Sequence, residues 1–312
     1  MIACCGEALM DMVPYGDRPD AFLACPGGCP YNTAIAAARL GAEVSFLGRL
    51  GTDFLGTRLY DRLVANRVDA SSVARSDQAA TLAFVSRSPS GDARYAFYSE
   101  GAADRSLVAE DLPPRLPPKA RFLMIGSISM LQEPIASTVE ALAARERGRL
   151  LVSFDPNIRP SLIEGRSEYI DRFRRWASLS AVIKISSDDL GWLYPGSAPE
   201  TAIGILRSLG PELVVVTLGR EGSIASHAGA IAKAEGFPVK VIDTIGAGDT
   251  FHAALLYLLD REGVATRADI RDLDAARLGR ILRFANAAAA ADCTRAGAEP
   301  PDLAEVEGYL NT

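Results

Sequence analysis

The chain has 312 residues, 48% hydrophobic and 23% charged. That length fits two domains or one large α/β domain, and a core of that size needs no disulfide or metal staple. Thirty-nine acidic residues against 33 basic ones give a net charge of −6, which argues against a protein built to neutralise nucleic acid, although a few backbone N–H groups can still bind a small anion.

In chain order, short runs apolar on both faces fall at 2–5, 44–47, 122–125, 150–154, 182–185 and 213–217. This is the pattern of parallel strands covered by helices. Amphipathic runs at 32–40, 56–66, 133–147, 168–179, 201–209, 250–261 and 278–292 predict the helices between them. The alternation predicts a doubly wound, mostly parallel α/β sheet. Residues 11–29 are rich in Pro and Gly, and 81–99 alternate apolar and polar residues around Pro89-Ser90-Gly91-Asp92. The second stretch predicts a hairpin, and antiparallel strands inserted into a parallel domain suggest a small lid over about 11–29 and 81–104. The proline-rich run 112–118 reads as a stiff spacer.

Several function classes drop out by counting. The first six residues lack a basic region, and Glu7 and Asp11 follow too soon for a signal peptide. No apolar run nears the roughly 18 residues of a spanning helix. The expectation is a soluble, cytoplasmic protein with neither membrane nor nucleic-acid partner. Five cysteines are odd in number and irregular in spacing; Cys25 and Cys29 flank a turn and read as reduced thiols rather than a structural zinc site. Neither of the two histidines, His227 and His252, stands in a hydrolase motif, and none of the four lysines follows a glycine, so there is no P-loop.

Two runs carry chemistry. In Asp243-Thr244-Ile245-Gly246-Ala247-Gly248-Asp249, small residues lead into an apolar helix. They let the backbone turn sharply and leave the first N–H groups aimed at one spot, an anion hole with the helix dipole behind it. Asp249 beside that hole could take a proton from a hydroxyl attacking a bound phosphoryl group, or could simply cap the helix. In Pro26-Gly27-Gly28-Cys29-Pro30-Tyr31-Asn32, two glycines permit close approach of a ligand. Asn32 offers a donor and an acceptor suited to sugar hydroxyls, with helix capping as the plainer alternative. Asp11 follows the first strand, at the end where α/β sheets bind ligands.

Together these runs resemble the two signatures of the PfkB (ribokinase-like) sugar kinases. The first continues through Ala38-Arg39-Leu40-Gly41 to Gly48-Arg49-Leu50-Gly51-Thr52-Asp53 and Gly56, so the likeness spans essentially the whole chain. The resemblance implies phosphoryl transfer from ATP to a sugar hydroxyl, with Asp249 as base and Gly246, Ala247 and Gly248 as its anion hole. It implies sugar contacts at Asp11, Gly27, Gly28 and Asn32, and a lid that often makes a homodimer contact. Thr217, Gly219 and Gly222 resemble the nucleotide-binding turn, Asn286 the residue near adenine, and Lys184 joins them as a nucleotide contact. Ser186-Ser187-Asp188-Asp189 stands where many members carry Asn-x-x-Glu, so Asp189 is expected to organise Mg²⁺ through water. Asp188 and Asp189 read equally as a helix start. Asp243 resembles a monovalent-cation ligand, which leaves K⁺ open.

Asp155-Pro156-Asn157-Ile158-Arg159 resembles the segment of fructokinases and 2-keto-3-deoxygluconate kinases in which an arginine reaches phosphate or sugar. A surface salt bridge is the alternative for Arg159. Phe97-Tyr98 followed by Ala103-Asp104 resembles the fructokinase lid, where an aromatic covers an apolar sugar face. Ser99 stands where acid-sugar kinases tend to carry Arg, which tilts the expectation toward fructose, phosphorylated at O6, with the keto-deoxy acid as rival. A non-catalytic sensor on the same fold is the distant alternative, and it would be expected to have lost Asp249.

Overall fold

All six predicted strands lie side by side at the centre of one sheet in the computed structural model, which describes residues 1–16, 18, 20–87, 93–227 and 230–311. The strands of this sheet are β1 (Ile2–Cys5), β4 (Val44–Gly51), β5 (Val73–Ser76), β8 (Phe122–Gly126), β9 (Leu151–Asp155), β10 (Val182–Ser186), β11 (Leu213–Thr217), β12 (Ser223–His227) and β13 (Ala230–Ala234). Their order is β13-β12-β11-β10-β9-β8-β1-β4-β5. From β5 to β11 every pairing is parallel, with Ile2 set between Val44 and Phe122; β12 and β13 add antiparallel at one edge.

The strand period of two explains the layering. In β1, Ile2 and Cys4 face one core while Ala3 and Cys5 face the other. The first core is covered by α1 (Cys29–Arg39), α2 (Phe54–Ala65), α7 (Ala247–Arg261) and α9 (Ala275–Asp292). The second is covered by α3 (Ile135–Glu146), α4 (Arg166–Leu179), α5 (Ser187–Leu193) and α6 (Pro199–Ser208). Two further helices, α8 (Arg267–Arg271) and α10 (Leu303–Leu310), close the C-terminal side. Among the described residues no helix is long and apolar enough to cross a membrane. The 112–118 run is more than a spacer: Leu112 and Leu116 are buried in the second core.

A smaller four-stranded sheet, ordered β3-β2-β6-β7, uses β2 (Leu9–Pro14), β3 (Phe22–Gly27), β6 (Leu82–Arg87) and β7 (Ala93–Tyr98). It consists of two antiparallel hairpins joined by a parallel β2–β6 seam. The turn predicted at 89–92 lies outside the described residues. Alternation along β7 sends Tyr95 and Phe97 to the inner face, against Leu9, Ala83 and Ile128. Tyr98 goes to the outer face, where it meets Phe84 edge-on at 5.5 Å, and Phe84 meets Phe22 at 5.1 Å.

Candidate active site

A cavity of about 390 Å³ opens between the small sheet and the carboxyl ends of the large sheet's central strands. Its walls come from the turn after β1, the start of α1, strands β2, β6 and β7, the loop after β9, β10 and the approach to α7.

The start of α7 is built by Gly246, which caps the helix with φ +87°. A side chain there would be strained in conformation and would drive its Cβ to 2.7 Å from Ala298 Cβ. The first intrahelical bond runs from Thr250 N–H to the Gly246 carbonyl (2.8 Å), and Ala247 N–H turns back to Thr244 O (3.3 Å). Of the three residues expected to form the anion hole, Ala247 therefore spends its N–H inside the turn. The N–H groups of Gly248 and Asp249 are left without an intrahelical partner. No side chain caps the helix, so Asp249 is not a cap.

Asp249 is buried and accepts from Asn32 Nδ2 on α1 at 2.9 Å. Asn32, one turn into α1, is not a cap either; Gly28 occupies that place. Burial pushes the Asp249 carboxyl up to about 6, against the pull of donors on Cys29 and Asn32. Gly28 brings α1 close, since a Cβ on it would lie 2.7 Å from Glu7 O; on Gly27 it would strike the Asp11 carboxylate. Asp11 lines the cavity and is pushed up to about 7 by burial, with Arg159 drawing it down and Asp249 and Asp243 raising it further.

Behind the anion hole lies a buried ion pair. Lys184 Nζ donates to Asp155 Oδ2 at 2.9 Å, and a Cβ on Gly248 would sit 3.0 Å from that ammonium. Burial opposes the Lys184 charge, yet Asp155 outweighs it and the pKa lies above the ordinary value. His252, beneath, lies 2.7 Å from Ser153 Oγ through Nε2; burial lowers it to about 4, so it stays neutral. The loop after β9 is pinned by two successive N–H groups: Asn157 donates to Asp155 (3.2 Å) and Ile158 to Asp189 (3.0 Å). Burial, then Asp155, pushes Asp189 up to about 6.

The cavity thus gathers Asp11, Gly28, Asn32, Phe97, Arg159, Lys184, Asp243, Gly246, Gly248 and Asp249. Gly27, Tyr98, Thr217, Asp189, Gly219, Gly222, Ala247 and Asn286 do not line it. Tyr98 is 66% exposed on the outer face and cannot cover a sugar bound inside. Ser99 is buried outside the cavity, accepting from Gln132 Nε2 at 2.8 Å; among the described residues the cations that line the cavity are Arg159 and Lys184. Gly222 and Asn286 meet instead at 234–236. A Cβ on Gly222 would lie 2.1 Å from Ala234 O, and the Asn286 amide donates to Ala234 O and Glu235 O (3.0 and 3.1 Å). Asp243 ties its own loop to the chain after α9, accepting from Thr244 and Ile245 N–H and from Gly297 N–H at 3.1 Å.

Sequence reasoning missed Glu7, Cys29, Tyr95 and Asn157. Glu7 is a buried knot that accepts from Cys29 N–H (3.1 Å) and from both the N–H and the hydroxyl of Ser129. Burial pushes it up to about 7. Cys29 Sγ faces Asp155 at 3.9 Å, and Cys29, Asp155 and Asp249 cluster on one buried spot. Cys25 is not part of that cluster. The one available signal was position: Glu7 follows β1 at its carboxyl end, whereas Asp11, expected there, lies on β2 of the small sheet.

The pfkB family carbohydrate kinase model matches residues 1–304. A fructokinase of Rhizobium leguminosarum bv. trifolii is 37% identical over 278 residues, covering 88% of this chain and 84% of that protein. The crystal structure of a Xylella fastidiosa fructokinase with bound ATP superposes with a TM-score of 0.91 at 32% identity, covering 99% of this chain and 98% of that one. A Vibrio cholerae O395 fructokinase in its fructose-, ADP- and calcium-bound form gives 0.86 at 28% identity, with coverage of 99% and 98%.

Proposed function

Because the chain belongs to the pfkB family of carbohydrate kinases, we propose that it is an ATP-dependent kinase that phosphorylates fructose at O6. The observation that carries this reading is the buried Asp249, pinned by Asn32 beside a start of α7 that no side chain caps. Asp11 and Asn32 hold the sugar hydroxyls. Asp249 takes the proton of the attacking hydroxyl; the new O–P bond forms as the bond to ADP breaks, and ADP leaves with the electron pair. The N–H groups of Gly248 and Asp249, with Lys184 behind them, receive the charge on the transferring group. Phe97 and the apolar inner face of the small sheet keep water, the competing nucleophile, out.

The nucleotide is assigned to the side of the cavity toward Thr217, Gly219, Gly222 and Asn286, which lie outside its lining. Asp189 and Asp155 crowd two carboxylates against one ammonium, a donor set that welcomes a divalent cation. Magnesium bound with ATP would neutralise phosphate charge there, with Asp189 reached through water. Asp243 is the proposed ligand of a monovalent cation, tested by exchanging K⁺ for Na⁺. The outer face of the small sheet exposes Phe22 and Tyr98 and is the proposed homodimer contact. Tyr98→Asp should then give a monomer by light scattering, and a wild-type monomer would sink that assignment. The cytoplasm, where Mg-ATP is available, is the setting this reading requires.

A second reading, a 2-keto-3-deoxygluconate kinase, is favoured by one observation: Arg159 lines the cavity and could pair with a substrate carboxylate. Coupled ADP release with Mg-ATP separates the two, using fructose, 2-keto-3-deoxygluconate, ribose and glucose. Turnover preferring fructose is expected. Preference for the keto-deoxy acid overturns the substrate assignment, and no turnover on any sugar overturns the kinase.

A further inference from the structure

Arg159 and the small sheet meet at one contact that neither the motif nor the fold assigns. The Arg159 guanidinium carbon lies 5.3 Å from the centroid of the Tyr95 ring, and Tyr95 is stacked on Phe97 at 5.8 Å with 18° between the planes. All three residues line the cavity. Among the described residues the guanidinium's hydrogen bonds are within its own loop, where Nη1 donates to Asn157 O and Ile158 O, each at 3.1 Å, and its charge acts on Asp11 of β2. The loop backbone is pinned to Asp155 and Asp189. The far end of the Arg159 side chain instead leans on β7, a strand of the lid.

We infer that Tyr95 is a positioning residue that holds the Arg159 guanidinium over the cavity, so that seating the lid and placing this cation are one event. The inference rests on the phosphoryl-transfer reading, because it gives Arg159 an anion to meet. Three physical points support it. A planar guanidinium over an aromatic face is attracted by the ring quadrupole, and more strongly where water is excluded. Phe97 stacks behind Tyr95 and fixes the plane that the guanidinium needs. The strand alternation that turns Tyr98 outward is the same one that turns Tyr95 inward, so the contact exists only while β7 sits over the loop after β9. The attraction belongs to the ring rather than the phenol hydroxyl, so Phe can replace Tyr and Leu cannot.

The test is a double-mutant cycle on the full-length enzyme with its preferred sugar, each variant first checked for an unchanged melting temperature. Tyr95→Leu is expected to lower kcat about tenfold, the size of a desolvated cation–π contact, while the sugar KM moves less than about threefold. Tyr95→Phe should restore most of that loss. In an Arg159→Ala background, Tyr95→Leu should cost less than about twofold more. Full additivity of the two substitutions, or a Tyr95→Phe variant as impaired as Tyr95→Leu, overturns the proposal. A second readout needs no turnover. The Arg159 Nε–H resonance, assigned by Arg159→Lys, should be ring-shifted in the wild type and lose that shift in Tyr95→Leu; an unshifted wild-type signal refutes the contact itself. Absence of sugar phosphorylation by the wild type would instead sink the kinase reading, and the resonance would still judge the contact.

Discussion

Replacing Asp249 with Asn is expected to stop turnover and to stabilise the fold, and the two effects have one cause. Burial lifts the Asp249 carboxyl from 3.8 to about 6. At about 1.36 kcal/mol per unit, the folded protein therefore disfavours the ionised form by about 3 kcal/mol. A carboxyl raised in this way stabilises the fold fully only below its unfolded value of 3.8, and that contribution is lost as pH rises through 6. At pH 8 the charged base burdens the fold, and an asparagine, which cannot ionise, does not. Weakening the Asn32 bond from charged to neutral takes back about 1 kcal/mol. The net gain is about 2 kcal/mol. With an unfolding entropy of about 2.1 cal/mol/K per residue, that is about 3 °C for this chain. Turnover meanwhile falls by about 10²–10⁴, the usual worth of a general base. Thermal melts at pH 5 and pH 8, run beside the coupled assay, read both. The gain should be full at pH 8 and smaller by about 1.4 kcal/mol at pH 5, which lies between the unfolded and folded values, and wild-type kcat should fall about tenfold per unit below pH 6. A variant that melts lower at pH 8, or that keeps kcat within tenfold, would refute the argument.

Other substitutions separate the parts of the site. Asp11→Asn should raise the sugar KM more than about tenfold and leave the ATP KM unmoved, because Asp11 enters the cavity from β2, away from the start of α7. Gly246→Ala forces a positive φ on a side chain already against Ala298; it should lower stability by about 1–3 kcal/mol and weaken ATP binding, read by denaturation and ITC. Lys184→Met leaves Asp155 charged, buried and unpaired, a loss of about 3–5 kcal/mol, whereas Lys184→Met combined with Asp155→Asn should recover much of it in urea unfolding.

The central strands are legible because burial on both faces leaves an apolar run with sharp polar ends. The edge strands β12 and β13 are not, since Ser-Ile-Ala-Ser-His and Ala-Ile-Ala-Lys-Ala carry little strand preference and are ordered by the neighbour they pair with. Six of the seven predicted helices start two or three residues earlier than periodicity suggests, and α3 starts two later. Gly246 caps α7 through its backbone and Pro30 opens α1, neither of which is an apolar signal. Within the site, Asp11, Gly28, Asn32 and Asp249 sit in runs whose local composition already requires explanation. Glu7 matters through Cys29 and Ser129, which are 22 and 122 residues away, and Tyr95 matters through Arg159. Such meaning belongs to the fold, and a one-residue choice of strand face separates Phe97, which lines the cavity, from Tyr98, which does not.

The small sheet supplies part of the cavity wall itself. Asp11 and Phe97 stand on β2 and β7, while Asn32 and Asp249 stand on the main body. A guest must therefore bridge two pieces of protein, and its grip on the upper piece is what would hold that piece down. Measured affinity then includes the work of assembling the chamber and is weaker than the contacts alone would give, by the fraction of molecules already shut. The same arrangement acts as a ruler. On the proposed kinase reading, a sugar that touches both pieces would hold them together, whereas a water molecule touching one of them would not.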